Sequence, residues 1–563
     1  MIDIDMVPKV FSRSELDRRT LIRLSGATGL ALVAGCLGDD DDDDDGIDDG
    51  NGGNGNGNGA NDKPNTFVMA TDTPTESLDP VVTSLVSTYV WHNLAFDPLV
   101  SWGLNENGEW EITEDLAENY EWITDGDEAL LQFTLPSDVT FHNGDELTAE
   151  HVKEHFDYFM DPDVPAGGNY GTVRQWITQV SVDNNTVVNL HFDEVNVAAM
   201  GMLRGVSIVH PGLREEMGAE EFGLNAVGEN SPGTGPYRIT EWDDGNRITF
   251  EKFDDYYQDD LPQFDNAEVR IIPEASARAS QLEAGDLHMD MFTSEVNWIE
   301  HQDNPDITTG RERAGNFTFL GINHTVEPLG DARVRRAMRA AVDGQAIVDA
   351  AFEGIGQPIT VPHIPETWAA FPEIDEQLRY DPGLAEDLLE EAGYGDGFDL
   401  NLTAATIHPF ETIAPILQQF WGDVGISTNI VSTEYSAMWG DVFQGEFEVF
   451  IAPSNVGWEM NTTLDLFHLE GQAYKPVSLG WDSENSEYEE FEQAVLDARR
   501  VVDRDVRREH YEAALEIYHR QMPTIMLTSA DNIGSWRAEL ANFDLSPAPN
   551  QTDRNIQQIN WSS

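Results

Sequence analysis

The stretch VTFHNGDELTAEHVKEHFDYFM, residues 139–160, decides the fold class because it predicts an amphipathic helix directly after an extended segment. Thr148 is a favourable residue for a helix N-cap. Apolar side chains then recur near one helical face, at Val152, Phe156 and Phe159. A helix that must bury one face beside strands indicates an α/β body.

The same signals continue along the chain in both directions. TVVNLHF (186–192) alternates like a half-buried strand, and GTGPYRITEWDDGNRITFEKF (233–253) predicts a hairpin closed at Asp244-Gly245. DPGLAEDLLEEAGYG (381–395) begins with an N-cap aspartate and a proline and predicts another helix. Helices and strands that alternate in this way on both sides of residue 316 predict two α/β lobes with mixed sheets.

Charge is the most unusual property of the composition. The 563 residues include 104 Asp and Glu against 31 Lys and Arg, a formal net charge of -73. Binding to a phosphate backbone needs clustered basic residues, so the composition excludes a nucleic-acid partner. Self-repulsion of this size destabilises a fold in dilute buffer and is screened in molar salt, so we interpret the chain as halophilic.

The N-terminal segment carries three export signals in order. Asp17-Arg18-Arg19-Thr20-Leu21-Ile22-Arg23 resembles a twin-arginine signal, and the apolar stretch that follows is too short to span a membrane. Leu32-Val33-Ala34-Gly35-Cys36 then resembles a lipobox, so we expect cleavage before Cys36 and lipidation of that residue. Cys36 is the only cysteine, which excludes an internal disulfide and leaves no thiol nucleophile.

A low-complexity segment separates this signal from the folded body. Residues 36–65 carry a run of aspartates followed by GNGGNGNGNGAN, and they contain too few apolar residues to build a core. Glycine makes such a segment flexible and its charge keeps it extended. We therefore expect an acidic tether between a signal peptide (1–35) and a body that starts at residue 66.

One helix carries a spacing that is also found in zinc enzymes. His151, Glu154 and His155 match the H-x-x-E-H pattern, in which two histidines share one helical face. An acidic helix also produces this pattern by chance, and the sequence offers no identifiable third ligand. We therefore predict no metal site and no cofactor, and we find no catalytic constellation for an enzyme.

Several blocks together resemble the extracellular solute-binding proteins of family 5, which serve peptide, oligopeptide and nickel importers. The resemblance is carried, in the order of the family, by SLDP (77–80), AFDPLV (95–100), VTFHNGDELTAEHV (139–152), GTGPYRI (233–239), ARVRRAMRAAVD (332–343) and YDPGLAEDLLEEAGY (380–394). It covers nearly all of the chain after the tether. It also explains His151 and His155 as part of the helix that follows the L-T-A-E segment.

The resemblance implies a two-lobed periplasmic-binding-protein-like fold of type II, cluster C, with mixed sheets and a hinge. Lobe 1 would comprise residues 66–312, with a subdomain near 95–230, and lobe 2 would comprise residues 313–525. Residues 526–563 would return to lobe 1. In DARVRRAMRA (331–340) we expect the arginines to pair with carboxylates on a helix surface.

The function implied is that of a lipid-anchored binding protein on the extracellular face of the cell membrane. It would act as a monomer, capture a peptide or other small solute between its lobes, and deliver it to the permease and ATPase subunits of an ABC importer. Two alternatives stay open on the same fold: a non-peptide ligand, such as an oligosaccharide or a metal chelate, and a role as a sensor.

The resemblance also suggests ligand contacts in lobe 2. Peptide-binding relatives carry a G-W-x-x-D segment whose aspartate pairs with the ammonium group of the ligand; here the segment is GWEMN, with Gly457, Trp458 and Asn461. An amide cannot neutralise an ammonium, so Glu459 or Asp465 would have to supply the charge. No Arg or Lys lies between Arg379 and Lys475 to pair with a peptide carboxylate.

Aromatic residues and one loop of lobe 1 complete the expected cleft. Trp439 matches an aromatic position of the oligopeptide binders, and with Tyr435 and Trp458 it offers flat faces for a sugar or another planar ligand. The loop that contains Thr75, Glu76 and Ser77 is expected to form the facing wall.

The charge surplus makes a testable prediction about salt. We expect the melting temperature to rise as KCl is increased from about 0.1 M to about 3 M, because the Debye length falls from about 10 Å to below about 3 Å over this range. Circular dichroism at each salt concentration measures this temperature, and NaCl should give the same rise. A melting temperature that is flat or falling with salt would contradict the halophilic interpretation.

Overall fold

The computed structural model describes residues 65–83, 89–104, 110–125, 128–363, 368–455, 460–469, 472, 474–482, 484–543, 545 and 558–562. The predicted signal peptide, Cys36 and the tether up to residue 64 lie outside the described residues. Within the described part of the chain, no helix combines the length and the apolar character needed to cross a membrane.

Nineteen strands are found among the described residues. They are β1 (Thr66–Thr71), β2 (Val100–Leu104), β3 (Trp110–Glu114), β4 (Asn119–Asp125), β5 (Glu128–Thr134), β6 (Ile177–Asn184), β7 (Val187–Phe192), β8 (Tyr237–Asp243), β9 (Arg247–Lys252), β10 (Asn266–Ile271), β11 (Met289–Asp290), β12 (Ile307–Ile322), β13 (Gly356–Pro358), β14 (Phe398–Ala405), β15 (Ile426–Thr433), β16 (Val449–Asn455), β17 (Ile525–Arg537), β18 (Leu540–Ala541) and β19 (Asn560–Trp561).

The α-helices of the described residues alternate with these strands. They are Tyr89–Ala95, Ala149–Met160, Gly168–Val173, Ala198–Leu203, Pro211–Met217, Ala219–Asn225, Ala275–Ala284, Glu295–His301, Ala332–Ala340, Gly344–Ala351, Pro372–Asp375, Pro382–Ala392, Phe410–Asp423, Tyr435–Gln444, Met460–His468, Tyr488–Arg500 and Arg504–Gln521. Short 3-10 turns lie at Gly228–Asn230, Glu376–Leu378 and Lys475–Ser478.

The local signals that predicted the helices are satisfied by capping bonds. The Thr148 side chain accepts a hydrogen bond from the backbone N–H of His151, and the helix starts at Ala149. The Asp381 side chain accepts from the N–H of Leu384 at 2.9 Å. That second helix ends at Gly393, whose φ of 88° is a left-handed conformation that glycine adopts without steric cost.

One mixed sheet of eleven strands runs through both lobes. Its order is β15-β14-β16-β12-β17-β11-β1-β10-β9-β8, and β13 pairs with β17 outside this path. Strand β1 is parallel to β10 and β11, and β14 is parallel to β15, while β12 and β17 run antiparallel. Because β12 and β17 occupy the middle of the order, they connect the strands of one lobe to those of the other.

Buried apolar residues form separate cores on the two sides of this connection. The largest core lies in the second lobe and extends from Phe317 to Leu527. In the first lobe, one core surrounds β1 and β8–β10, and another lies under the four-stranded sheet β4-β5-β7-β6. Together the mixed sheets and the separate cores confirm the predicted two-lobed α/β fold, whereas the predicted boundaries at 312 and 525 stay predictions.

The arginines of helix Ala332–Ala340 correct one expectation from the sequence. Arg333 does pair with Asp331 at 2.5 Å on the surface. Arg335 and Arg339 are only 1% exposed, and both donate to backbone carbonyls, Arg335 to Leu329 at 2.7 Å and Arg339 to Val342 at 3.0 Å. Burial lowers the pKa of Arg335 to about 9 and that of Arg339 to about 10. These two cations hold loops around the helix instead of pairing with carboxylates.

An ionic contact joins the two lobes far along the chain from the connecting strands. Arg499, near the end of helix Tyr488–Arg500, donates to Glu194 at 2.6 Å and to Asp465 at 3.3 Å. Arg500 donates to Glu194 at 2.5 Å. Glu194 follows β7 in the first lobe, whereas Asp465 is buried in the second, so this cluster links the lobes through charged groups.

Burial raises the pKa of Asp465 to about 7, and the attraction to Arg499 only partly opposes this shift. The folded protein therefore holds the proton of Asp465 at pH values where the unfolded chain has released it. Stability from this group is fully present below the ordinary pKa of about 3.9 and is lost as the pH rises through about 7.

We expect Asp465→Asn to remove the pH dependence of stability that Asp465 causes, because an amide stays neutral at every pH. The difference in unfolding free energy between wild type and variant should change by up to about 1.4 kcal/mol per pH unit between about pH 4 and pH 7, with the wild type losing stability as the pH rises. Denaturant titrations at constant KCl measure the unfolding free energy of both proteins at each pH. Asp497→Asn, at a partly exposed carboxylate of the same helix as Arg499, is the control. A difference that is independent of pH would contradict the effect of burial on Asp465.

Candidate functional site

A cavity of about 400 Å³ lies where the connecting strands meet both lobes. The first lobe contributes Asp72, at the end of β1, and the loop 291–295 that follows β11. The second lobe contributes Phe352, residues 408–410 and Pro453. The connecting strands themselves supply residues 316–318 from β12 and residues 530–533 from β17. The cavity is therefore lined by both lobes and by the two strands that connect them.

The wall from the first lobe lies at the carboxyl ends of parallel strands. Strands β1, β10 and β11 all end on this side, which is where open α/β sheets usually place their ligands. The loop 291–295 is shaped by Asp290, which accepts from the N–H of Phe292 at 3.0 Å and from Arg278 at 3.0 Å. Burial raises the pKa of Asp290, and the nearby charge of Asp72 adds to this shift.

Helix Glu295–His301 holds the first-lobe wall against the connecting strands. The Ser294 hydroxyl accepts from the N–H of Asn297 at 3.3 Å and caps the helix. The indole N–H of Trp298 donates to the carbonyl of Gly310 in β12 at 2.8 Å, and its ring packs with Ile355 and Ile533. Glu295, the first residue of this helix, is therefore presented to the cavity by a well-supported element.

The wall from the second lobe is apolar. Phe317, Phe352 and Phe410 line the cavity and are members of the second-lobe core. Phe410 also stacks on Tyr435, with ring centroids 6.5 Å apart and an angle of 6° between the planes. These rings are nearly buried, since Phe317 and Phe410 are 2% exposed and Phe352 is 7% exposed, so this wall is apolar and closely packed.

Asp531 is the one lining carboxylate that already has cationic partners. Its Oδ2 accepts from the Nε of Arg311 at 2.6 Å and from Nη1 of Arg313 at 2.8 Å. Both arginines belong to β12, near the irregularity in its pairing with β17 between Glu312 and Asn316. The charge of Asp531 is therefore used within the connection between the lobes.

The loop predicted to face the ligand has structural contacts within the first lobe. Glu76 is exposed, and the Ser77 hydroxyl accepts from the N–H of Asp79 at 3.0 Å. Thr75 is buried and accepts from the indole N–H of Trp91 at 2.9 Å. None of the three lines the cavity of about 400 Å³.

The residues predicted in the second lobe lie outside that cavity as well. Trp439 is half-buried against Phe443, Phe450 and Tyr474. Asn461 is fully buried and donates to the carbonyl of Val495 at 3.3 Å, and Asp465 is bound to Arg499 as described above. Gly457 and Trp458 lie outside the described residues. A ligand contact for any of these residues stays a prediction.

The polar groups that the first lobe contributes to the cavity were not predicted from the sequence, because they lie at the ends of regular elements. Asp72 directly follows β1, and Thr293 to Glu295 span the junction between β11 and a short helix. The ends of strands and the starts of helices are readable in sequence, but their meeting in one cavity depends on the order of strands in the sheet. Reading the carboxyl ends of the predicted strands would have identified Asp72.

The histidines with zinc-like spacing have separate structural roles. The Nδ1 of His151 accepts from the N–H of Thr148 at 3.2 Å and helps to close the start of its helix. His155 is fully buried among Phe156, Phe159 and Tyr170. Within the described part of the chain, no group of three or more His, Cys, Asp or Glu residues has a geometry suited to a metal ion.

Comparison with known proteins gives consistent results for this architecture. The di/tripeptide-binding protein 1 of Pseudomonas aeruginosa is 25% identical over 477 residues, which cover 78% of this chain and 85% of that protein. AgaA of A. tumefaciens R10, solved with agropinic acid, superposes with a TM-score of 0.72 at 22% identity and covers 88% of this chain and 99% of its own. NikZ of Campylobacter jejuni, solved with Ni(L-His), gives 0.68 at 19% identity, covering 88% of this chain and 98% of its own.

These neighbours confirm the type II fold of the periplasmic binding proteins. Residues 111–474 match the model of the bacterial extracellular solute-binding proteins, family 5. The match covers well over half of the chain, and the proteins of this group bind solutes for transport and are not enzymes. The chain therefore belongs to family 5 of the extracellular solute-binding proteins.

Proposed function

We propose that this protein is the lipid-anchored, extracellular substrate-binding protein of an ABC importer. The observation that carries the proposal is the cavity of about 400 Å³, whose walls come from both lobes and from the two strands that connect them. Its volume falls within the roughly 300–1,000 Å³ typical of small-molecule sites. A ligand in such a cavity touches both lobes at once.

Contact with both lobes is what converts binding into a transport signal. A ligand that touches both walls stabilises the arrangement in which those walls are close, so it shifts the population towards the closed form. The closed form is the state that we expect the permease and its ATPase subunits to recognise, with the binding protein acting as a monomer. The ionic contact between Glu194 and Arg499 also joins the two lobes and would support the same arrangement.

Peptides are the first class of ligand to test. The proposal draws on the similarity to the di/tripeptide-binding protein of Pseudomonas aeruginosa. The principal alternative is a non-peptide ligand on the same fold, such as an oligosaccharide or a metal chelate. The structures of AgaA with agropinic acid and of NikZ with Ni(L-His) make this alternative worth including in the same screen.

A thermal-shift screen at about 3 M KCl with dipeptides, oligosaccharides and nickel chelates tests the capture of a solute. A ligand at about 100 times its Kd should stabilise the folded protein by about 2.7 kcal/mol. We expect Asn316→Trp to abolish this shift, because the indole would fill space between the lobes. Small-angle scattering should show a smaller radius of gyration when the wild-type protein binds its ligand.

Ser280→Trp is the matched control, since it adds the same side chain at an exposed position on helix Ala275–Ala284. The control should bind like the wild type. If Asn316→Trp melts like the wild type and still binds the ligand fully, the ligand occupies another part of the molecule and this cavity is not the transport site.

The membrane anchor is tested separately by Cys36→Ser. We expect the full-length wild type, produced in a halophilic host, to sediment with membranes and to partition into detergent. The serine variant cannot form the thioether to lipid, so it should be released into the medium with its cleft intact. Immunoblots of membrane and medium fractions measure the distribution. Equal membrane retention of both proteins would contradict anchoring through Cys36.

A further inference from the structure

The charges that face the inter-lobe cavity are strongly one-sided. Asp72 and Glu295 both line it, and neither is paired with a basic side chain in the described part of the chain. Asp531, the third lining carboxylate, is occupied by Arg311 and Arg313. No Lys or Arg is among the described residues that line the cavity. A ligand that entered would therefore meet two carboxylates without a basic partner, and His408 is the one basic side chain among the described lining residues.

The two free carboxylates come from the first lobe, and both have a defined position. Asp72 is half-buried at the end of β1 and accepts a hydrogen bond from the Thr73 hydroxyl at 2.8 Å. Glu295 begins the helix that Trp298 fixes to the carbonyl of Gly310. The lining also includes Thr293, which is 6% exposed and whose buried hydroxyl has no hydrogen-bond partner. Such an unpartnered group beside a cavity is a natural acceptor for a donor on a ligand.

The opposite wall is apolar and is formed by nearly buried phenylalanine rings. Phe317, Phe352 and Phe410 come from the second lobe, and Phe292 comes from the first. An apolar wall favours an apolar part of a ligand, and carboxylates attract cations through charge. The combination of carboxylates on one wall and phenylalanine rings on the other suits a cationic group attached to an apolar body.

We propose that the ligand is an organic cation, a primary or quaternary ammonium on an apolar body, selected by Asp72 and Glu295 and needing no free carboxylate. This inference rests on the proposed function of the same cavity. The cation binds the first lobe and the apolar body binds the second, so both halves of such a ligand are needed to close the cleft. An N-terminal ammonium of a short peptide qualifies, whereas a peptide carboxylate gains nothing from the lining.

High salt does not remove this selectivity. Molar KCl screens exposed charges separated by more than about 3 Å, but a pair inside a cavity that excludes most solvent is screened much less. The numerous surface carboxylates are exposed to potassium ions from the solvent. Asp72 and Glu295 differ from them because a ligand that seals the cleft also removes that solvent.

The test uses leucyl-phenylalanine, its C-terminal amide, its N-acetyl derivative and the N-acetyl amide, together with benzyltrimethylammonium. Isothermal titration of the full chain at about 3 M KCl measures each affinity. We expect the probes that carry an ammonium group to bind, and the C-terminal amide to bind at least as tightly as the free acid. Acetylation of the ammonium group should weaken binding by roughly tenfold or more, as when a desolvated charge pair is broken. A non-peptide ligand would be indicated by binding of benzyltrimethylammonium alone, which also supports the inference.

Two variants identify the residues responsible. Asp72→Asn and Glu295→Gln should each weaken the cationic probes by roughly tenfold and leave the affinity for the N-acetyl amide unchanged. Glu300→Gln is the matched control, an exposed position on the same helix. Three outcomes would overturn the inference. They are tighter binding of the acetylated acid than of the amide, no effect of either variant, and no binding by any probe. If solutes from another class then bind the wild type but not Asn316→Trp, the proposed function is retained and only the inference about a cationic ligand is lost.

Discussion

The pairing of β12 with β17 is the constraint on which the rest of the structure depends. Their register runs from Ile307 opposite Arg537 to Leu320 opposite Ile525, so two long antiparallel strands pass together from one lobe to the other. Hydrogen bonds between them join the part of the sheet that continues through β16 to the part that continues through β11. The pairing is irregular between Glu312 and Asn316, and a β-bulge is where such a ribbon bends and twists most readily.

The cavity lies beside this irregularity for a geometric reason. Residues 316–318 and 530–533 line it, so the same segments form the connection and part of the binding wall. Arg311, Arg313 and Asp531 tie the strands together at this point, since a nearly buried carboxylate with two arginines is well satisfied. A rotation of the lobes would therefore change the cavity directly, with no need for a signal transmitted through the cores.

The sequence predicted the helices and strands well but did not predict which residues line the cavity, and the difference has a physical cause. Thr148, Asp381 and Gly393 act locally, through capping bonds within a few residues, so their roles can be read from the order of residues. Arg335 shows the limit of such predictions. Four arginines within seven residues gave no sign that Arg335 is buried and binds backbone carbonyls, one of them at Gln521, 186 positions along the chain. The cavity depends on strand order, which brings Asp72 and Ala530 together across 458 positions.

Because the chain has so many carboxylates, the sequence does not identify the few that face the cavity. With 104 acidic residues, an aspartate or glutamate at any one position says little, and the sequence alone favoured Glu76 and Asp465 among the carboxylates, together with aromatic residues and the amide of Asn461. Folding separates the carboxylates by their surroundings: Asp465 is buried beside Arg499, Asp531 is held by two arginines, and most others meet water and salt. Asp72 and Glu295 share a cavity and have no basic partner among the described residues. Their charge is available to a ligand because the fold places no cation beside it.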